Sequence, residues 1–202
     1  MDDDTSNVAI STYPGNIYII HDFIIDSFCE NMRILIDQQA TYISQYDHTN
    51  AVKAYVTILN ELDIDDNILI KQDLSLLLSG YVRAIANIIS KVNGEIFKKF
   101  IPTISTVELR KIFDETTQHV DNINIDNPRM LSCIIMLNDD YDDGIFSFPE
   151  QNVQFRPKKG DVILFPPYWT HPHKVSSPTN GFRYAITFWY NHHTDITKIS
   201  IS

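Results

Sequence analysis

The alternation of hydrophobic and polar positions divides the chain into a helical half and a β half. Apolar side chains recur at helical spacing after residue 26, where Asp26 or Ser27 can act as the N-cap and Glu30 can complete a capping box with Ser27. A second helical pattern covers residues 73–93. The first half therefore predicts two amphipathic helices, preceded by a strand in the Ile-rich and aromatic segment 16–25.

The second half predicts short strands separated by turn residues, because eight of the nine prolines lie after residue 100. Strands are expected at 107–113, 129–137, 145–148, 152–155, 161–165 and 183–190. Many short strands with Pro and Gly turns favour a sandwich, a barrel or a jelly roll. We expect a single domain over residues 1–202. Its N-terminal strand and supporting helices would occupy residues 1–100, its β core residues 101–190 and its tail residues 191–202.

Composition narrows the class of protein. The chain has 202 residues, a formal net charge of −10 and 44% hydrophobic residues, which predicts a globular domain rather than disorder. An acidic balance argues against nucleic-acid binding, since phosphate contact needs a basic face. No apolar run is long enough to cross a bilayer, and the opening Met-Asp-Asp-Asp does not resemble a signal peptide. Cys29 and Cys133 are too few for a disulfide framework, so we expect a reducing, cytoplasmic location. Because the apolar runs are short, we expect no membrane partner.

Candidate metal ligands occur in the β half. His119 and Asp121 are two residues apart, so an extended segment would direct both side chains to the same face. A second imidazole is available from His171 or His173, and Arg183 follows on the last strand. Two imidazoles and one carboxylate on one face of a metal leave open positions, as non-haem Fe(II) oxygenases require for an oxo acid and O₂. A strand arginine offers a fork for the distal carboxylate of that acid.

The order of these elements resembles the Fe(II)/2-oxoglutarate-dependent dioxygenases, in particular the prolyl 4-hydroxylase-like branch. Across residues 107–190 the chain has His-x-Asp, then a Leu-Asn hairpin with an acidic turn, then a Gly-Asp strand that ends in Phe-Pro. The distal His and a basic residue before a Trp-terminated strand follow. The resemblance implies a mainly β fold, a double-stranded β-helix (jelly roll) buttressed by N-terminal helices. It also implies that His119, Asp121 and a distal His bind Fe(II) and that Arg183 anchors 2-oxoglutarate.

The sequence offers two candidates, His171 and His173, for the distal histidine ligand. His171 and His173 have the same strand parity, but Pro172 between them makes a regular strand unfavourable there. The resemblance favours His173, because Lys-Val follows it and because its ten-residue spacing to Arg183 matches the prolyl hydroxylase branch. His171 is the alternative ligand, and otherwise a neighbour of the metal site or of the substrate.

Two further residues share the face of Arg183 on the last strand. Thr187 can donate its hydroxyl to the same carboxylate, and Trp189 would line the substrate side of the site. The tyrosine that usually binds 2-oxoglutarate in this family lies upstream of His-x-Asp, but residues 111–115 contain no tyrosine. The second anchor of the oxo acid is therefore unassigned.

Other polar positions have local interpretations. Asn122 would orient the Asp121 carboxylate from the second shell of the metal. Arg110 and Lys111 are expected to be solvated residues at a sheet edge. The acidic run 139–143 lacks the spacing of an EF-hand, so it predicts a solvated hairpin tip rather than a calcium loop.

The function expected from the resemblance is hydroxylation of an unactivated C–H bond, with release of succinate and CO₂. The substrate would be a peptidyl proline, another amino-acid side chain or a small molecule. Fe(II), 2-oxoglutarate and O₂ would be required, with ascorbate as a supporting reductant. Because Asp121 is present, hydroxylation is favoured over the halogenation of related enzymes that lack this ligand. The alternative is a non-catalytic jelly-roll binding module with a structural metal such as Zn²⁺, and the oligomeric state is open.

Overall fold

The computed structural model contains both predicted helices. It describes residues 8–39, 41–43, 52–58, 68–92, 103–104, 106–122 and 129–191. Helix α1 (Asp26–Gln39) has Ile25 at its N-cap position rather than Asp26 or Ser27, because the carbonyl oxygen of Ile25 accepts from the amides of Phe28 and Cys29. Helix α2 (Ile68–Val92) begins before residue 73, where its pattern had predicted the first turn. In this part of the chain, no helix is both long and apolar enough to cross a membrane.

The rest of the described chain is mainly β. The strands are β1 (Ile10–Tyr13), β2 (Ile17–Ile20), β3 (Thr41–Ile43), β4 (Val52–Ile58), β5 (Thr103–Ile104), β6 (Glu108–His119), β7 (Arg129–Met136), β8 (Asp142–Asp143), β9 (Phe146–Phe148), β10 (Val153–Phe155), β11 (Val162–Phe165), β12 (His173–Val175), β13 (Pro178–Thr179) and β14 (Arg183–Asn191). Each predicted strand is present, and the strand expected over 16–25 is β2, which forms a hairpin with β1. The sequence patterns had not predicted seven of the strands, namely β1, β3, β4, β5, β8, β12 and β13. The tail expected after residue 191 lies outside the described residues.

Strand pairing gives a nearly closed antiparallel sheet. Its main path runs β1-β2-β11-β7-β14-β6-β12-β9-β10, and β4 adds a further strand beside β6. The first part of β6 pairs with β14 and its last part pairs with β12, so this strand joins the two halves of the sheet. The architecture is the double-stranded β-helix that the resemblance implied, with helices on its outside.

Successive residues of the central strands enter two different cores. On β7, Ile134 and Met136 point into the inner core between the two halves of the sheet, whereas Cys133 and Ile135 point towards the helices. The same alternation occurs on β11 and β14. Full burial of a side chain of this size contributes about 1.5–3 kcal/mol to folding. Both the helix-facing core and the inner core therefore stabilise the sheet.

A register shift in β6 determines which of its residues face inward. Thr116 lies opposite Val175 and His119 lies opposite His173, so three steps on β6 match two steps on β12. This β-bulge changes the parity of the strand. Unbroken alternation after Thr116 would turn Gln118 rather than His119 to the inner face.

A glycine turn before β11 connects three parts of the fold. The amide of Gly160 donates to the carbonyl oxygen of Met136 at 3.0 Å, and its carbonyl accepts from the amides of Phe23 and Ile24 at 3.0 and 3.1 Å. Gly160 has a φ of +83°, and a Cβ at this position would lie 2.9 Å from the carbonyl oxygen of Ile24. Only glycine meets both conditions without strain.

Two Gly→Ala substitutions should change stability in opposite directions. Gly160→Ala should lower the free energy of unfolding by more than about 1 kcal/mol, because it combines a positive φ with a backbone clash. Gly80→Ala should raise it by about 0.5–1 kcal/mol, because Gly80 is inside α2 and an added Cβ has no atom within 4 Å. Urea unfolding followed by circular dichroism measures both changes. Equal effects of the two substitutions would contradict the turn geometry.

Candidate metal centre

The structure brings the three favoured ligand residues together. His119 lies at the end of β6, Asp121 follows two residues later, and His173 begins β12. Each offers one ligand atom, and these atoms all lie within 4.8 Å of one another. Nε2 of His119 is 3.1 Å from Oδ1 of Asp121, and Nε2 of His173 is 3.7 Å from the same oxygen.

Backbone carbonyls set the orientation of both imidazoles. Nδ1 of His119 is 2.8 Å from the carbonyl oxygen of Thr117, and Nδ1 of His173 is 3.2 Å from that of His171. A carbonyl can only accept, so Nδ1 carries the proton in each ring. Nε2 of each histidine therefore presents its lone pair to the centre of the cluster, as a metal ligand must.

The two oxygens of Asp121 have different environments. Oδ2 accepts from the Ser132 hydroxyl at 2.5 Å and from Nε1 of Trp189 at 3.0 Å. Oδ1 faces the two imidazoles. The prediction that Asn122 orients this carboxylate is wrong, because its amide donates to the carbonyl oxygen of Arg129 instead. Ser132 lies on a different strand, so no local signal in the sequence identifies it.

The cluster has the protonation states that metal binding requires. Burial would raise the pKa of Asp121, but the neighbouring imidazoles and the Ser132 hydroxyl hold it well below its usual range. Burial lowers the pKa of His173 to about 4. At neutral pH the site therefore combines an ionised carboxylate with a neutral imidazole.

His171 lies outside the cluster. Its Nε2 is 2.6 Å from the carbonyl oxygen of Gly15, and its Nδ1 is 2.8 Å from the Thr170 hydroxyl. The ring thus contacts the β1–β2 hairpin rather than the other two ligand candidates. His173, and not His171, is the residue that the structure places in the cluster with His119 and Asp121.

Arg183 faces a cavity beside the cluster. The cavity is lined by Arg110, Ile112, Thr116, His119, Asp121, Ile134, Phe146, His173, Val175, Arg183, Thr187 and Trp189. Arg183 is only 3% exposed, and its Nη2 donates to the hydroxyl of Thr116 at 3.3 Å. Its Nε is buried without a hydrogen-bond partner. A buried donor without an acceptor is costly, so this guanidinium is suited to an anion that enters the cavity.

Asn138 holds the backbone on both sides of Arg183. Its side-chain amide donates to the carbonyl oxygen of Phe182 at 2.8 Å, and its Oδ1 accepts from the amide of Tyr184 at 2.7 Å. Asn138 is buried at the end of β7. The first residue of β14 is therefore positioned by the neighbouring strand before any ligand arrives.

Two further residues that the sequence proposed for the site, Thr187 and Trp189, also line the cavity. Trp189 does more than line it, because its indole also binds Asp121. The prediction that Arg110 is a solvated edge residue is wrong. Arg110 lines the cavity and pairs with buried Glu108, because β6 is covered by β4 and β14.

The acidic run 139–143 also differs from a uniformly solvated hairpin tip. Its aspartates are exposed, but Tyr141 in the middle is 4% exposed and belongs to the inner core. Lys111, next to Arg110, is half-buried and forms an ion pair with Asp37 at 2.7 Å. Alternation along one strand could not separate these environments.

The donor set fits a particular kind of metal. Two imidazoles and a carboxylate form the three-ligand face that non-haem Fe(II) uses when other positions stay open for substrates. The adjoining guanidinium with its unpartnered Nε fits a carboxylate of a bidentate oxo acid. The geometry therefore fits iron together with an oxo acid that has a second carboxylate.

Sequence comparisons identify the segment that contains this cluster. Residues 111–191 match the 2OG-Fe(II) oxygenase superfamily. A protein of Acanthamoeba polyphaga mimivirus with a provisional prolyl 4-hydroxylase name is 29% identical over 85 residues, which are 38% of this chain and 35% of that protein. Mouse prolyl 3-hydroxylase 2 is 34% identical over 67 residues, or 31% of this chain and 10% of that protein. The chain thus spans about a third or less of these curated relatives.

Solved structures with the same fold cover far more of the chain. A Trichoplax adhaerens prolyl hydroxylase, solved with a fragment of the hypoxia-inducible factor oxygen degradation domain, has a TM-score of 0.68 at 19% identity and covers 93% of this chain and 89% of its own. A Pseudomonas putida prolyl 4-hydroxylase has a TM-score of 0.63 at 15% identity, with 90% and 95% covered. Such identities establish the fold alone. The sequence match therefore concerns residues 111–191, which are similar to the 2OG-Fe(II) oxygenase superfamily, and the solved structures show that the chain has the fold of these prolyl hydroxylases.

Proposed function

We propose that this protein is an Fe(II)- and 2-oxoglutarate-dependent hydroxylase. One observation carries the proposal: His119, Asp121 and His173 converge within 4.8 Å in a cavity that also contains the buried guanidinium of Arg183. A metal face and an oxo-acid anchor are both needed for this chemistry. A binding module with a structural metal needs no such anchor, so Arg183 argues against that alternative.

The residues of the chain have distinct roles in this proposal. His119, Asp121 and His173 would hold Fe(II), while Ser132 and Trp189 keep one oxygen of Asp121 in place. Arg183 would neutralise the distal carboxylate of 2-oxoglutarate, and Thr187 would add a hydroxyl on the same face of β14. Bound iron, 2-oxoglutarate and O₂ supply the oxidation of a C–H bond, with succinate and CO₂ as co-products.

The substrate class to test first is a peptidyl proline or another amino-acid side chain. Support comes from the prolyl hydroxylases among the relatives and from the peptide complex of the Trichoplax protein. A reducing, cytoplasmic location is supported by Cys29 and Cys133, which are both free thiols. We also take the chain as one domain, because N-terminal β2 pairs directly with β11 of the core.

The proposed activity has a direct assay. The iron-loaded protein should convert 2-oxoglutarate to succinate in air, with ascorbate as a supporting reductant. Proline-rich peptides and free amino acids, offered separately, should be screened by mass spectrometry for the gain of one oxygen atom. Absence of succinate with every substrate, from protein that binds iron, would contradict the hydroxylase proposal.

Loss of the carboxylate ligand should remove the metal. Asp121→Ala should weaken Mn(II) or Fe(II) binding by more than about 100-fold, beyond the 10- to 100-fold that loss of a second-shell partner causes. Isothermal titration under anaerobic conditions measures this change. Asp139→Ala removes an exposed carboxylate of the hairpin and should bind metal like the wild type. Equal affinity in Asp121→Ala and Asp139→Ala would exclude the metal site.

The same titration of metal binding should distinguish the two candidates for the distal histidine ligand. His173→Ala should lose metal binding, because it removes an Nε2 that faces the cluster. His171→Ala should keep metal affinity within about threefold of the wild type, because its ring binds the β1–β2 hairpin. The reverse result would assign the ligand to His171.

Removal of the Arg183 guanidinium should lower the affinity for the oxo acid and leave the affinity for the metal unchanged. Loss of one partner of a buried charge pair costs on the order of 2–5 kcal/mol. Arg183→Ala should therefore weaken 2-oxoglutarate binding to the Mn(II)-loaded protein by roughly 30-fold or more. Arg183→Lys should restore part of the affinity, because it keeps the charge and loses the fork. The control Arg33→Ala removes a surface arginine that pairs with Asp140. Wild-type affinity in Arg183→Ala would place the anchor elsewhere.

A further inference from the structure

Arg129, the first residue of β7, contacts the candidate ligand Asp121 from outside the cavity. Its Nη1 donates to the backbone carbonyl oxygen of Asp121 at 2.7 Å. Its guanidinium also lies over the indole of Trp189, with Cζ 3.5 Å from the ring centroid. Among the described residues that line the cavity, Asp121 and Trp189 are present and Arg129 is not. Arg129 therefore reaches the cluster through these two residues.

A register shift in the pairing of β7 with β14 brings Arg129 to this position. The shift occurs between Tyr190 and Asn191, and it places Arg129 opposite Asn191. Unbroken pairing would place Met130 there instead. Asn191 has the same strand parity as Trp189. The shift therefore directs Arg129, rather than its neighbour in the chain, to the face of the indole.

The peptide unit that follows Asp121 is bound on both sides. Its carbonyl oxygen, which belongs to Asp121, accepts from Arg129. Its amide, which belongs to Asn122, donates to the carbonyl oxygen of Pro167 at 2.9 Å. Both main-chain groups of this unit thus have partners from other segments, namely β7 and the loop before β12. Rotation of the peptide unit would break both hydrogen bonds, so these contacts fix the backbone orientation of Asp121.

The same arginine also supports the carboxylate end of Asp121. Nε1 of Trp189 donates to Oδ2 of Asp121 at 3.0 Å, so the position of the indole sets the position of that oxygen. Trp189 is 2% exposed, and the guanidinium of Arg129 covers one face of its ring. A cation over a desolvated indole is attracted by the charge distribution of the ring. Arg129 thus holds the backbone of Asp121 directly and its carboxylate through Trp189.

We propose that Arg129 is a positioning residue for the metal centre, which holds both ends of Asp121 in the orientation that metal binding needs. The inference rests on the proposed function in one respect, because it requires that the cluster of His119, Asp121 and His173 binds a metal. A carboxylate that is fixed before the metal arrives loses less conformational freedom on binding. Loss of Arg129 should therefore weaken metal binding although no ligand atom is removed.

The first test removes the guanidinium and keeps an aliphatic stem. Arg129→Met should weaken Mn(II) binding by roughly 10- to 100-fold, the range typical of residues that orient a metal ligand. Arg129→Lys keeps the positive charge and a donor, so it should bind Mn(II) at least about threefold more tightly than Arg129→Met. Anaerobic isothermal titration measures both affinities without turnover. Recovery by Lys separates positioning from packing, because Met and Lys have stems of similar length.

Arg33 provides a matched control. Its guanidinium also lies over an aromatic ring, 5.0 Å from the ring centroid of Tyr184, but it pairs with Asp140 rather than with Asp121. Arg33→Met should bind Mn(II) like the wild type. Equal affinity in Arg129→Met and Arg33→Met would overturn the proposal, and so would equal losses in Arg129→Met and Arg129→Lys.

A double-mutant cycle tests the contact through the indole. Trp189→Phe keeps an aromatic ring and removes the N–H that donates to Oδ2 of Asp121. Without this donor, Arg129 can act on Asp121 only through the backbone carbonyl. Arg129→Met should therefore weaken Mn(II) binding by a smaller factor in the Trp189→Phe protein than in the wild type. The same factor in both proteins would show that the two residues act independently, against the proposal.

Circular dichroism checks the folding of each variant. If Arg129→Met does not fold, Arg129→Gln takes its place, because its neutral amide can still donate to the Asp121 carbonyl but places no charge over the indole. Its affinity for Mn(II) should be lower than that of the wild type by about threefold or more. Wild-type affinity in Arg129→Gln would then overturn the proposal.

The failure of this inference is distinguishable from that of the proposed function. If the wild type does not bind Mn(II), the proposed function fails and the role of Arg129 fails with it. If the wild type binds Mn(II), Asp121→Ala loses it and Arg129→Met keeps wild-type affinity, only the role of Arg129 is overturned.

Discussion

The register shift between β6 and β12 is the constraint on which the metal cluster depends. β6 starts on the β14 side of the sheet and ends on the β12 side, and the bulge occurs after this change of partner. Three steps on one strand against two on the other turn His119 to the face that His173 occupies. Asp121 then follows two residues later at the same cluster. Without this shift, the His-x-Asp segment would direct its imidazole away from the cavity.

Charge in the cavity is arranged around the same cluster. Asp121 is anionic and has one oxygen committed to Ser132 and Trp189, so its other oxygen stays available. The Arg110–Glu108 pair neutralises itself within the wall of the cavity. Arg183 is left as the charge without a protein counter-ion among the described residues. In a buried setting such a charge interacts strongly with an incoming anion, and this favours a carboxylate at that end of the cavity.

Local patterns explain why much of the fold was predictable. Strand alternation and Pro or Gly turns act over a few residues, so β7, β9, β10, β11 and β14 were predicted close to their observed bounds. β6 extends to His119, beyond its predicted end at residue 113, and β8, β12 and β13 were not predicted. The position of α1 follows from an apolar periodicity of the same short range. By contrast, β4 depends on pairing with β6, which lies far along the chain, and β3 depends on pairing with β4. Pairing of this kind has no local signal.

The sequence by itself determined the residue types of the candidate metal site and their order. His-x-Asp, a later His and then Arg on a strand are all readable in one dimension, because spacing along a strand sets the face of each side chain. Only the tertiary structure shows that the ring of His173 lies beside Asp121, whereas the ring of His171 lies beside Gly15. It also assigned Ser132 and Trp189 to Asp121 and buried Tyr141 within an acidic turn. These contacts join segments that are far apart in the chain, and their geometry is set by sheet register and packing rather than by local spacing.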